Sequence, residues 1–225
     1  MGKDKTEQAE TGDKIAFFLQ KHRKPLLALG IIIIAGIVFS VAFFTIRGVL
    51  EKKAIAKVED LERRINEQGI LYDAIDSDSV AAMLEELNNF TASGFTFGYA
   101  AARAYSLSAD IYFTRSEWNK AEEAWVLASR KAPKIYIAPI ALFNAAVAAE
   151  EQGKLNEAIG YFKESLEFSV INPAAPRARF NIGRIHEQCN EIEKARDAYH
   201  ELIEKNPDSP WANLAHNRLI VLEKS

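Results

Sequence analysis

The chain has 225 residues, 48% of them hydrophobic, and 28 Lys+Arg against 31 Asp+Glu give a net charge of -3. With an isoelectric point near 5.9 it carries no basic field, which excludes a charge-driven nucleic-acid binder. The single cysteine, Cys189, excludes an internal disulfide and lies too far from the N-terminus to be a lipid-modified anchor.

Residues 1–24 read as a short leader. The run "PLLALGIIIIAGIVFSVAFFTI", residues 25–46, follows, and from Leu26 to Ile46 no residue is charged. As a helix this stretch spans about 30 Å, the thickness of a bilayer's hydrocarbon core, so a transmembrane helix is expected. The alternative is a cleaved signal peptide with Ser40 and Ala42 at the small-residue site. The long apolar core, and a leader longer than a signal peptide usually has, favour an uncleaved signal anchor. Lys14, Lys21, Arg23 and Lys24 before the span nearly balance Arg47, Lys52, Lys53 and Lys57 after it. The tight "KHRK" cluster favours an N-terminus in the cytoplasm and the large domain outside. Gly36 and Ser40 form one small-xxx-small pair that would suit helix pairing.

Residues 47–78 read as an amphipathic helical stalk or linker, since Leu50, Ala54, Val58, Leu61 and Ile65 recur every three to four residues. The pattern covers about two heptads, which leaves open a helix lying on the folded domain or the seam of a homodimer. "YDAIDSDS" breaks the pattern at 72–79, "SVAAMLEELNNF" is a further short helix, and "TASGFTFG" is a loop.

From residue 100 the chain repeats itself. Ala109, Tyr112, Trp118, Ala121, Trp125, Ala128 and Pro133 are followed, 37 residues on (121 to 158), by Ala146, Ala149, Leu155, Ala158, Phe162, Ser165 and Val170. The same step (158 to 195) leads to Gly183, His186, Ile192, Ala195, Tyr199, Leu202 and Pro207. Each copy reads as two helices around a short turn, giving repeats at about 102–135, 139–172 and 176–209 and a terminal capping helix at 210–224. Asn119 and Asn156 are expected N-caps, with Glu122 completing a capping box in the first copy. Ala121, Ala158 and Ala195 are small because two helices cross there, and the aromatics four residues on fill the wider gap to the next pair. A lone hairpin cannot bury both faces, so the pairs stack. The expected fold is all-α: a transmembrane helix, a stalk, and a solenoid of helical hairpins over 79–225.

These residues resemble the tetratricopeptide repeat (TPR) family, in which a small residue and an aromatic are followed by Ala, an aromatic and Pro. The resemblance covers about 100–225, with a period of 37 rather than the family's usual 34. The layout as a whole, with paired Phe17 and Phe18 ahead of the basic cluster, is similar to the bacterial ancillary SecYEG translocon subunit family. That likeness implies an inner-membrane accessory of protein export with periplasmic repeats, whose partners would be the SecYEG translocon, periplasmic folding factors and emerging polypeptides. A scaffold facing the cytosol and a cell-division or peptidoglycan scaffold are the alternatives.

No phosphate-binding Gly loop, nucleophile elbow or zinc cluster is present, so neither an enzyme nor a cofactor is expected. His186 and Cys189 lie three apart in "HEQC", but His186 holds a repeat core position and two residues do not close a metal site. Carboxylates such as Glu85 and Glu86 read as a solvated face, and "NFT" at 89–91 as a chance glycosylation tripeptide. The expected binding surface is the concave groove lined by the first helices, into which their non-core residues point: Arg103, Asp110 and Phe113, then Phe143, Val147 and Glu150, then Arg177, Phe180 and Arg184. An apolar strip flanked by arginines suits a peptide with apolar anchors and acidic groups. The bland alternative packs Phe143 and Phe180 beneath the turns or the terminal helix.

Overall fold

A computed structural model describes residues 17–71, 76–94, 96–168 and 172–224. Lys14 with most of the leader, residues 72–75 of the expected break, and Val170 lie outside the described residues. The chain divides into two compact units, Met1–Leu50 and Glu51–Ser225. Among the described residues the elements are helices: α1 (Arg23–Glu67), α2 (Ser77–Ala92), α3 (Gly98–Thr114), α4 (Trp118–Lys131), α5 (Ile137–Glu151), α6 (Leu155–Leu166), α7 (Ala175–Gln188), α8 (Ile192–Lys205) and α9 (Pro210–Leu222).

The first unit holds the apolar part of α1, which is long and apolar enough to cross a membrane. None of its side chains from 26 to 46 is buried, and Ile31 and Phe39 are 67% and 72% exposed. An apolar helix left bare all round is not the core of a globular domain. The Thr45 hydroxyl donates to the Val41 carbonyl at 2.8 Å, a bond that satisfies it without water.

In the second unit the end of α1 is a core element. Val58, Leu61 and Ile65, spaced three and four residues apart, are at most 1% exposed and pack with Val80, Met83 and Leu87 of α2 and with Ala104, Leu107 and Ile111 of α3. Lys57 and Arg64 both reach Glu86 of α2, at 2.6 and 2.8 Å. Gly69, at φ 65°, reverses the chain, while the Ile70 amide donates back to Ile65 and the Gly69 amide to Asn66. This is a Schellman turn, and its apolar contact is made by buried Ile70. Asp76 then caps α2 by accepting from the Ser79 amide at 2.8 Å.

The same turn recurs in the repeats. Ser116, Gly153 and Asn190, 37 residues apart (116 to 153 to 190), all take positive φ, at 58°, 72° and 59°. In each, two backbone amides close the end of the first helix: Ser116 to Phe113 and Glu117 to Tyr112, then Gly153 to Glu150 and Lys154 to Ala149, then Asn190 to Glu187 and Glu191 to His186. This corrects the capping expectation. Asn119 and Asn156 lie inside α4 and α6, and Asn119 Nδ2 donates to Glu123 at 3.0 Å. The residues before the second helices, Glu117 and Lys154, make no side-chain cap. The left-handed residue brings the chain around sooner than a capped entry would, and the second helix begins earlier.

From α3 to α9 each helix packs on the next, and first helices also meet sideways, α3 with α5 and α7 with α9. Ala121, Ala158 and Ala195 are fully buried at the crossings, and Trp125, Phe162 and Tyr199 are buried beside them. Each of these aromatics meets a first-helix ring: Phe113 on Trp125 at 5.3 Å, Phe143 on Phe162 at 5.2 Å, Phe180 on Tyr199 at 5.6 Å. Ser106 stands in the first copy where Phe143 and Phe180 stand in the others (106 to 143 to 180), so Phe113 fills that gap from further along α3. Ser209 caps α9 through the Trp211 and Ala212 amides. That helix buries Ala215, Leu219 and Leu222 against α8 and leaves Asn213, His216 and Asn217 in solvent.

Gly183 is the tightest crossing. A Cβ there would lie 2.5 Å from Tyr199 Cε1 and 2.9 Å from its Cζ. Gly183→Ala is therefore expected to cost about 1–2 kcal/mol, because overpacking by about 1–3 kcal/mol outweighs the helix-propensity gain of about 1 kcal/mol. A thermal melt followed by circular dichroism should fall by roughly 3–6 °C.

Candidate protein-binding face

The residues that the sequence nominates lie on α3, α5 and α7, and most of them are engaged. Arg103 is tied to Glu62 of α1, Nε to Oε2 at 2.9 Å with a second bond from its terminal nitrogen, and this pair holds the Glu62 carboxyl below the usual carboxylate range. Phe113 is half-buried between Trp118 at 4.8 Å and Trp125. Phe143 is buried on Phe162, and Val147 is half-buried against the same cluster. Arg184 pairs with Glu150 at 2.7 Å. Phe180 sits between Tyr199 and Trp211 of α9, 5.3 Å from the latter. Arg177 is exposed, its guanidinium 5.1 Å from the Phe143 ring and 5.7 Å from Trp211.

The structure thus brings Phe143, Arg177 and Phe180 together with Trp211, a residue the sequence reading left out, and ties Arg103 to α1. The arginines form rungs between successive repeats. Arg184 of α7 reaches back to Glu150 of α5, and Arg218 of α9 reaches back to Glu187 of α7, both of whose carboxylate oxygens it engages. Glu150 and Glu187 are one repeat apart (150 to 187), so the rung recurs. The Tyr199 hydroxyl also donates to Glu187, at 2.5 Å. Arg218, and secondarily Tyr199, hold the Glu187 carboxyl below its ordinary range. A cleft of about 500 Å³ beside this rung is lined by Phe180, Arg184, Glu187, Gln188, Tyr199 and Arg218.

Two further acids lie within the packing, Glu122 buried and Asp110 half-buried. Glu122 of α4, 6% exposed, accepts from Gln152 at 2.8 Å, Lys154 at 3.0 Å and Tyr161 at 3.0 Å, all in the next repeat. Burial first, then the bond to Glu122, pushes the Tyr161 phenol up to about 12. Asp110 of α3 lines a space of about 160 Å³ with Arg103, Trp125 and Asn144. Burial pushes its carboxyl up to about 6 against the opposing pull of the Arg103 guanidinium and the Trp125 indole. His186 is buried with Nδ1 2.6 Å from Glu191, and Cys189 is exposed. Among the described residues no group of three His, Cys, Asp or Glu could hold a metal ion.

Two tetratricopeptide repeat family profiles match the chain, over residues 107–176 and 149–216. A "TPR repeat-containing protein" of Treponema pallidum (strain Nichols) is 31% identical over 219 residues, covering 91% of each chain. A solved structure titled "MamA AMB-1" aligns with 72% of this chain and 93% of its own at 16% identity and a TM-score of 0.47.

Glu122→Ala should cost about 2 kcal/mol, since it leaves the partly buried Lys154 and Tyr161 groups unpaired. Glu122→Gln should lower the Tyr161 pKa from about 12 toward 10, read by ultraviolet absorbance titration. Because folding raises this phenol's pKa, its contribution to stability holds below pH 10 and is lost as pH climbs toward 12. Asp110 follows the same sign in a lower pH window, so its cost is already present at pH 7. Its folded pKa lies above the unfolded value near 3.8, so ionising it costs stability as pH rises from about 4 to 6. Asp110→Asn should stabilise the array by about 2 kcal/mol at pH 7 and by little at pH 4, as compared by thermal melts at the two pH values.

Proposed function

Because the chain belongs to the tetratricopeptide repeat family, we propose that it is a membrane-anchored scaffold that holds other proteins on the face lined by its first helices. The observation that carries this is the pairing of a bare apolar helix with an array of hairpins. The run from 26 to 46 finds no protein to cover it, and a lipid bilayer is the solvent that such a surface fits. The hairpins carry ion pairs and aromatic cores that build a stiff surface. Protein binding is what such arrays serve.

The narrower reading is an accessory of protein export in a bacterial cytoplasmic membrane, with the N-terminus inside and the repeats outside. Phe17 and Phe18, ahead of the basic cluster, and the bacterial source of the relative matched over nine-tenths of both chains support it. Its partners would be the translocon, periplasmic folding factors and emerging chains. A homodimer through the membrane helix is compatible with the Gly36 and Ser40 pair.

Gentle solubilisation and co-purification test the reading. Recovery of translocon subunits with the full chain is the expected result, and recovery of division or wall-synthesis proteins instead would move the scaffold to that setting. Protease added to intact spheroplasts should digest the repeats. Protection until the cells are lysed would reverse the topology.

A further inference from the structure

Arg177 differs from every other outward arginine of the first helices. Arg103, Arg184 and Arg218 are each committed to a glutamate: Glu62, Glu150 and Glu187. Arg177 is exposed and, among the described residues, makes no ion pair or side-chain hydrogen bond. Its place is nonetheless fixed. The guanidinium lies over Phe143 at 5.1 Å and Trp211 at 5.7 Å, and both rings are themselves held. Phe143 is buried on Phe162, while Trp211 is braced by Phe180 at 5.3 Å and by the Ser209 cap of α9.

A guanidinium stacked on rings keeps its edge N–H groups free and its plane oriented, so little side-chain entropy remains to be lost on binding. Arg177 stands in the first turn of α7 and Trp211 in the first turn of α9, where helix N-termini present positive ends, and neither turn carries an acidic residue. Leu214, one turn beyond Trp211, is 45% exposed and offers an apolar neighbour. A planar cation with two free donors, apolar rings behind it and no counter-ion fits a planar anion presented in bidentate fashion.

We propose that Arg177, backed by Phe143 and Trp211, is the anchor for an aspartate or glutamate side chain of a protein partner. This rests on the scaffold reading and narrows it. The acidic group meets the guanidinium edge, and an adjacent aliphatic side chain lies on Trp211 and Leu214. Arg184 and Arg218 stay with their own glutamates and hold the repeats in register.

The test uses the full chain in lipid nanodiscs, with its tryptophan indoles isotopically labelled and the Trp211 resonance assigned by Trp211→Phe. Three tripeptides are titrated: acetyl-Leu-Glu-Leu-amide, its glutamine twin, and acetyl-Leu-Gln-Leu with a free C-terminal carboxylate. The glutamate peptide should shift the Trp211 indole resonance saturably, with the other two at least about tenfold weaker, the size of one charge-assisted bidentate bond. Arg177→Gln should remove that preference, and Arg177→Lys should restore only part of it, with melting temperatures unchanged for both. Equal binding of the glutamate and glutamine peptides, or a preference that survives Arg177→Gln, would overturn the anchor. Equal binding of the free-carboxylate peptide would overturn the side-chain assignment in favour of chain ends. Membrane partners that still co-purify with both wild type and Arg177→Gln would leave the scaffold standing without this anchor.

Discussion

Everything in the repeat unit depends on how closely two helices cross. At the three crossings Ala109, Ala146 and Gly183 on the first helices share clusters or direct contact with Trp125, Phe162 and Tyr199 on the second. A methyl group or less on one side leaves room for a ring on the other, and the ring fills the gap that opens toward the next hairpin. Close approach therefore sets the aromatic layer, the aromatic layer sets the spacing of hairpins, and that spacing puts Arg184 within 2.7 Å of Glu150. Polar registration follows apolar packing, because the ion pairs are partly exposed and worth little unless geometry is already fixed.

The electrostatics divide accordingly. The net charge of the chain is small, and three glutamates are spent on links between repeats. Glu122 links the first copy to the second, Glu150 the second to the third, and Glu187 the third to α9. The first link rests on a buried glutamate, and the later two lie nearer the surface. A surface that has neutralised its own charges leaves recognition to the few groups that remain uncommitted.

The helical pairs, the crossing alanines and the aromatic layer were legible in the sequence, because a step of 37 residues turns three marginal patterns into one strong one. The apolar run of α1 was legible for the simpler reason that nothing interrupts it. The turns were misread at Asn119, since Ser116, Gly153 and Asn190 share a backbone conformation but no side-chain chemistry. The surroundings of the candidate face were only half legible. Arg103 and Arg184 carry the same charge as Arg177, yet their partners stand 41 and 34 residues away in the chain. Pairing over that distance depends on how the repeats stack, which composition and spacing alone do not specify. Trp211 escaped notice because it belongs to the terminal helix, outside the copies in which a repeating position could be compared.

Closing each hairpin through a left-handed residue also distributes mutational tolerance unevenly. The two backbone amides that seal each turn are indifferent to which side chain stands there, provided it accepts positive φ, and the start of the second helix needs no capping group at all. Substitution at 119 or 156 is thus thermodynamically cheap. The residues at 116 and 190 carry a steric burden that glycine at 153 does not. The middle hairpin is the one whose reversal forces no side-chain-bearing residue into the left-handed region.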